Sequence, residues 1–181
     1  MIRILFAVLF STLTLAGCKK DGDNDDGSQV ETGVVMAHGL IWATRNVGEP
    51  GKFVGKPEDY GGYFTQEEAQ TACPDGWRLP TVPEFSSIAS DDKWATQNGI
   101  TGTLFGNADN YHKGFIFLPA AGRRSARESA TERGTDGWYW SSTGLYAYRL
   151  HFDSDNASLG SSNDFGYSIS VRCVKESNEI A

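Results

Sequence analysis

Ala72-Cys73-Pro74-Asp75-Gly76-Trp77-Arg78-Leu79-Pro80-Thr81 and, a hundred residues further on, Ser170-Val171-Arg172-Cys173-Val174 are the two stretches on which the reading of this chain turns. Working outward from the first, Thr65 and Glu68 have the spacing of a capping box, and Gln66 to Ala72 are good helix formers. Cys73-Pro74-Asp75-Gly76 then ends the helix. Thr81-Val82-Pro83-Glu84 is a second box, opening a short helix that carries Phe85 and Ile88. Working outward from the second stretch, the last third of the chain reads as strand: Trp138 to Ser142, Tyr146 to Asp153 and Tyr167 to Val174. Cys73 therefore stands at the end of a helix and Cys173 in the last strand.

The chain has three cysteines, so the fate of Cys18 decides what the other two can do. Arg3, the apolar run Ile4 to Phe10 and a small-residue end make residues 1–17 a secretory signal, too short for a stable membrane span. Leu15-Ala16-Gly17-Cys18 resembles a bacterial lipobox, which implies cleavage before Cys18 and lipidation of its thiol. With Cys18 taken, the even remainder of two in an exported protein reads as one bridge, Cys73 to Cys173; two buried free thiols are the competing reading. Neither cysteine lies in a CxxC or beside a histidine, which speaks against a metal site. Residues 18–32 are the lipidated Cys and an acidic flexible tether, since Lys19 to Ser28 has no apolar residue to offset its ordering entropy. Asp21, Asp23 and Asp25 are spaced like the start of an EF-hand loop, but Gly27 is one place late and Thr32 stands where the twelfth-position Glu belongs. The same acidic run resembles the export signal of Bacteroidetes surface lipoproteins, which implies an outer-membrane, cell-surface location.

A chain of 181 residues has room for one domain, taken as residues 33–176 with a disordered tail at 177–181. Sixteen Lys and Arg against 23 Asp and Glu give a net charge of −7, so nucleic acid is not an expected partner; the expected partners are the membrane, through the N-terminal lipid, and an unidentified glycan or protein. Twenty-one glycines and 12% aromatics point to a turn-rich strand-and-loop protein and exclude a coiled coil or a polytopic membrane protein.

Within that domain, Val34, Val35, Leu40, Ile41 and Trp42 suggest a hairpin turning near His38-Gly39. Asn46 to Lys56 reads as loop, and Asp91 to Tyr111 has little periodicity. Gly114 to Leu118 is a buried strand closed by Pro119, and Gly122 to Gly134, with Arg123, Arg124, Arg127 and Arg133, is an exposed loop or short helix. In Tyr146 to Asp153, Tyr148, Leu150 and Phe152 share one face while Arg149, His151 and Asp153 share the other, so one face packs and the other is offered to solvent.

Five blocks in order, Gly39 to Gly48, Tyr63 to Thr81, Phe117 to Gly122, Gly137 to Thr143 and Ser170 to Val174, resemble the successive signatures of the Fibrobacter succinogenes major paralogous (FISUMP) domain. That resemblance covers about 140 residues and implies an α+β, C-type lectin-like fold: two short helices, a small twisted antiparallel sheet and a helix-to-last-strand disulfide. The motif residues read as scaffold: Trp42, Trp77, Trp138 and Trp140 as packing groups, Gly76 and Gly137 as turn glycines with positive φ, and Arg78 and Arg172 as buried-block charges that pair with carboxylates or cap carbonyls.

Chemistry is sparse. The calcium-binding Glu-Pro-Asn and Trp-Asn-Asp elements of sugar-binding C-type lectins are missing, and His38, His112 and His151 lie in no triad or zinc motif, so no enzyme activity, cofactor or metal is expected. Residues 144–166 instead have the Tyr, Ser, Asn, Asp and Gly composition of an adaptable binding surface. The candidate ligand-binding residues are Tyr146, Arg149, His151, Asp153, Asp155, Asn156, Asn163 and Asp164. This segment resembles the variable region of retroelement-diversified proteins of gut Bacteroides, built on C-type lectin-like scaffolds. The expected function is a non-catalytic, lipid-anchored surface protein that binds a glycan or protein ligand; a structural subunit of an envelope or adhesive assembly is the alternative.

Overall fold

The computed structural model describes residues 33–36, 39–90, 92–106, 114–125, 129–142, 147–162 and 166–177. The signal, Cys18, the tether with its acidic run, His38, His112, Tyr146, Asn163 and Asp164 lie outside the described residues. No described helix is long and apolar enough to cross a membrane.

The fold is α+β. The first sheet brings the two ends of the domain together: β1 (Gly33–Val35) and β13 (Val174–Glu176) flank β2 (Leu40–Ala43), and Val34 and Val174 both register on Trp42. The expected first hairpin is thus present. Next, β3 (Val47–Glu49) and β4 (Lys52–Phe53) pair across Pro50-Gly51. This corrects the loop expected over Asn46 to Lys56: Gly51, at φ +78°, supplies a left-handed turn residue that lets so short a ribbon close.

Both predicted capping boxes form. Thr65 opens α1 (Gln66–Ala69) and Thr81 opens α2 (Val82–Ala89); in each, the threonine hydroxyl accepts from the amide of the glutamate three residues on, and that carboxylate accepts from the threonine amide. The first helix is shorter than predicted, one turn followed by turns to Cys73.

The largest departure from the sequence reading is at Asp91 to Tyr111. Here β5 (Asp92–Gln97) and β6 (Ile100–Gly106) form a hairpin extended by β7 (Phe115–Pro119). Its two-residue turn is Asn98-Gly99, with φ +49° and +83°, the pair that a mirror-image turn between twisted strands demands. That dipeptide was the available signal; weak alternation in the flanking residues obscured it. The segment Gly122 to Gly134 holds no helix among its described residues: β8 (Arg124–Ser125) pairs with β12 (Tyr167–Ser168), and Arg123 bridges Thr131. Another three-stranded sheet comprises β9 (Gly137–Trp140), β10 (Ala147–Phe152) and β11 (Ala157–Ser162), ordered β11-β10-β9. The single long strand expected at Tyr167 to Val174 is broken: between β12 and β13 the chain keeps only isolated bridges at Ile169 and Ser170.

Two apolar clusters hold these small sheets. One lies around α2 and contains Trp42, Phe85, Ile88, Phe105, Leu118, Leu150 and Phe152. The other surrounds the Cys73–Cys173 disulfide, which joins the end of the α1 turn to the residue before β13, and includes Val47, Phe64, Leu79, Trp140, Ile169 and Val171. Between them sits a buried cation. Arg172 is fully buried and donates from Nε to Asn46 Oδ1 (3.0 Å) and from its terminal nitrogens to the carbonyls of Ala43 (2.8 Å) and Phe117 (3.0 Å). Asn46 Nδ2 donates in turn to the Tyr139 hydroxyl and the Tyr60 carbonyl, and the Tyr139 hydroxyl donates to Pro119 O (2.8 Å). Burial pushes the Tyr139 phenol up to about 12 against the pull of the Arg172 charge. Arg172 therefore caps carbonyls, whereas Arg78 takes the other expected option and pairs with Glu84 (2.8 Å) and Glu176 (2.6 Å). Gly76 has the expected positive φ, +79°, but Gly137 does not. It is required for space: a Cβ there would run into the Phe152 ring.

Candidate ligand-binding site

Strand β10 has the predicted alternation, with Leu150 and Phe152 fully buried and Arg149 and His151 on the opposite face. That opposite face is not simply offered to solvent, which corrects the expectation. Antiparallel pairing sets His151 directly across from Trp138 on β9 and Arg149 across from Trp140, and a side chain facing its cross-strand neighbour at such spacing stacks on it. The His151 ring lies 3.8 Å from the Trp138 ring at 28°, and the guanidinium of Arg149 stands 4.7 Å from the same ring. Arg123, coming in from just before β8, stands 5.1 Å from the Trp138 ring and 4.3 Å from that of Tyr167.

Carboxylates fix the edges of this layer. Glu132 takes the Trp138 indole N–H at 2.9 Å with one oxygen and pairs with Arg123 at 2.8 Å with the other. Asp136 Oδ1 lies 2.9 Å from His151 Nε2. Asp153, just past β10, accepts the amides of Asp155 and Asn156, which hold its carboxyl below the ordinary range. Asp136, His151 and Asp153 each place one ligand-type atom within 4.8 Å of the other two, and are the described residues that could hold a cation; the His151–Asp136 hydrogen bond already accounts for their grouping. Among the described residues no hydroxyl or thiol hydrogen-bonds His151. The result is a shallow recess lined by Arg123, Trp138, Trp140, Arg149, Tyr167 and Ile169.

Of the candidate residues, Arg149, His151 and Asp153 are thus brought together. Asp155 and Asn156 are exposed in the β10–β11 turn, where their backbone amides serve Asp153. Within 144–166, where only Tyr146 to Asp153 was expected as strand, Ala157 to Ser162 forms an edge strand that pairs along all of β10.

The sequence reading missed Trp138, Arg123, Glu132, Asp136 and Tyr167. Trp138 was assigned to scaffold packing, yet it is only half-buried, unlike Trp42 and Trp140. Alternation puts Trp138 and Trp140 on the same face of β9, so no sequence signal separates the half-buried ring from the buried one. A second recess, between Trp77, Arg78, Lys175 and Glu176, has its charges answered internally, Lys175 lying 4.5 Å from the Trp77 ring and Arg78 bonded to two glutamates. No family model matches the chain, and no curated protein or solved structure is similar enough to match.

Proposed function

We propose that this chain is a non-catalytic, lipid-anchored surface protein whose C-type lectin-like domain binds a glycan or protein ligand on the outer face of β9 and β10. One observation carries the reading: Trp138 is half-buried rather than core, and a histidine and two arginines are layered on it with carboxylates fixing their edges. Aromatic and arginine side chains held rigid before a ligand arrives lose little conformational entropy on binding, which is what a recognition surface needs. Two short helices, small antiparallel sheets, a helix-to-last-strand bridge and terminal strands that meet on β2 support the lectin-like reading. Leu15-Ala16-Gly17-Cys18 and the acidic run behind it support anchoring in the outer membrane with the domain outside the cell.

The test combines surface labelling of intact cells with glycan and protein array screening of the full chain and of Trp138→Ala. Trp138→Ala should remove array binding with the melting temperature lowered only modestly, because the ring is not in either apolar cluster's fully buried set. Array silence together with co-purification of envelope proteins would replace this reading with that of a structural subunit.

A further inference from the structure

The charged segment 122–134 uses its arginines in two distinct ways. Arg123 turns to Trp138 and is neutralised by Glu132. Arg124, its neighbour on a strand and so directed to the other side, is exposed, as is Arg133. These two converge on one tyrosine: the guanidinium of Arg124 stands 5.5 Å from the Tyr63 ring and that of Arg133 5.4 Å from it, with Arg133 also 5.1 Å from the Tyr60 ring. The Tyr63 hydroxyl is fixed, donating to the Ala121 carbonyl and accepting from Arg133 Nε at 2.7 Å.

Among the described residues neither Arg124 nor Arg133 has a carboxylate within 4.0 Å, whereas Arg78 and Arg123 are closely paired. Glu68 is held below the ordinary carboxyl range first by the Thr65 amide, at 2.8 Å, and last by the charge of Arg124, with which it makes no ion pair within 4.0 Å. In a chain of net charge −7, two guanidiniums without carboxylate partners within 4.0 Å among the described residues are thus held by the same ring, and a shared oxyanion would relieve their mutual repulsion. Ring contacts and the phenol bond restrict their rotamers beforehand, so capture costs less ordering.

We propose that Tyr60, Tyr63, Arg124 and Arg133 form a second binding site, which takes the carboxylate or sulfate group of an acidic polysaccharide. The site does not depend on the Trp138 reading. A peptide partner gains its affinity from a free strand edge or from apolar pockets for anchor residues, and this patch is built of neither. The exposed large hydrophobics among the described residues, Val35 and Phe115, lie on β1 and β7 instead. A charged sugar needs what is present: guanidinium forks for the oxyanion and phenol edges for ring hydroxyls.

The test measures retention of the full chain by polygalacturonate, dextran sulfate, neutral dextran and poly-L-glutamate at low and high salt. One or both acidic polysaccharides should retain it at low salt, with neutral dextran inert and retention falling as salt screens the charges. Which of the two binds distinguishes carboxylate from sulfate recognition. R124Q/R133Q should weaken binding by about tenfold or more at unchanged melting temperature, since both side chains are exposed. Y63F, which keeps the ring but releases Arg133, should weaken it by about threefold. K52Q should leave it unchanged. Wild-type retention by R124Q/R133Q, an equal loss in K52Q, equal or stronger retention by poly-L-glutamate, or no retention by either acidic polysaccharide would each overturn the proposal.

Discussion

Replacing both bridged cysteines with alanine, Cys73→Ala with Cys173→Ala, isolates the contribution of the covalent frame. The bridge spans a sequence separation of 100 residues, within which lie α2 and every strand from β5 to β12. In the chain-entropy model, closing a loop of about 100 residues removes roughly 16 cal/mol/K from the unfolded ensemble, or about 4.7 kcal/mol at 25 °C. A domain of about 145 residues unfolds with an entropy near 0.3 kcal/mol/K, so the variant should melt about 15 °C below the parent. Calorimetry on both proteins, with and without reductant, measures this directly: reduction should lower the parent by a similar amount and leave the variant in place. Denatured, unreduced parent should expose no free thiol at Cys73 or Cys173. Free thiols at those two positions, or a reduction shift below about 3 °C, would refute the argument that this bridge, and not the small apolar clusters alone, holds so many short sheets together.

Four other substitutions probe the frame. Arg172→Lys leaves Asn46 Oδ1 and the Ala43 and Phe117 carbonyls short of a donor fork that a single ammonium cannot replace, and should cost about 3 kcal/mol or more by denaturant unfolding. Gly122→Ala combines φ +68° with a Cβ driven into the Thr131 carbonyl and should cost about 2–4 kcal/mol, whereas Gly51→Ala, at φ +78° with open space, should cost only about 1 kcal/mol. Burial works to raise the Glu84 carboxyl, but the Arg78 pair and the Thr81 amide outweigh it and hold the group below the ordinary glutamate range. Its contribution is therefore fully present above pH 4.5 and is lost as pH falls toward and through the lower folded-state value. The melting temperature of Glu84→Gln should accordingly lie below the parent's at neutral pH and converge with it under acid conditions.

The frame and the face depend on each other through the paired strands. Strand β10 buries Leu150 and Phe152 under α2, and the same strand, by alternation, delivers Arg149 and His151 to Trp138. A substitution at Leu150 would therefore disturb the recognition layer through register, without touching a residue in it.

What the sequence determined by itself was local or covalent. Two threonine–glutamate spacings gave both helix starts because a capping box is completed within four residues. The cysteine count, once Cys18 was set aside, left one pairing to consider, and the alternation in β10 separated Leu150 and Phe152 from Arg149 and His151. The Asn98-Gly99 turn is equally local, because an Asn-Gly pair by itself supplies the two positive φ angles that the hairpin needs. Tertiary structure alone decided which charges were spent. Whether Arg172 met a carboxylate or a set of carbonyls, whether Trp138 lay in the core or under a histidine and two arginines, and which of Arg123 and Arg124 was neutralised all depended on strands brought together from distant parts of the chain. Hydrogen bonds, ring contacts and ion pairs act over a few ångströms in space, and sequence spacing carries no measure of that distance until the register between strands is fixed.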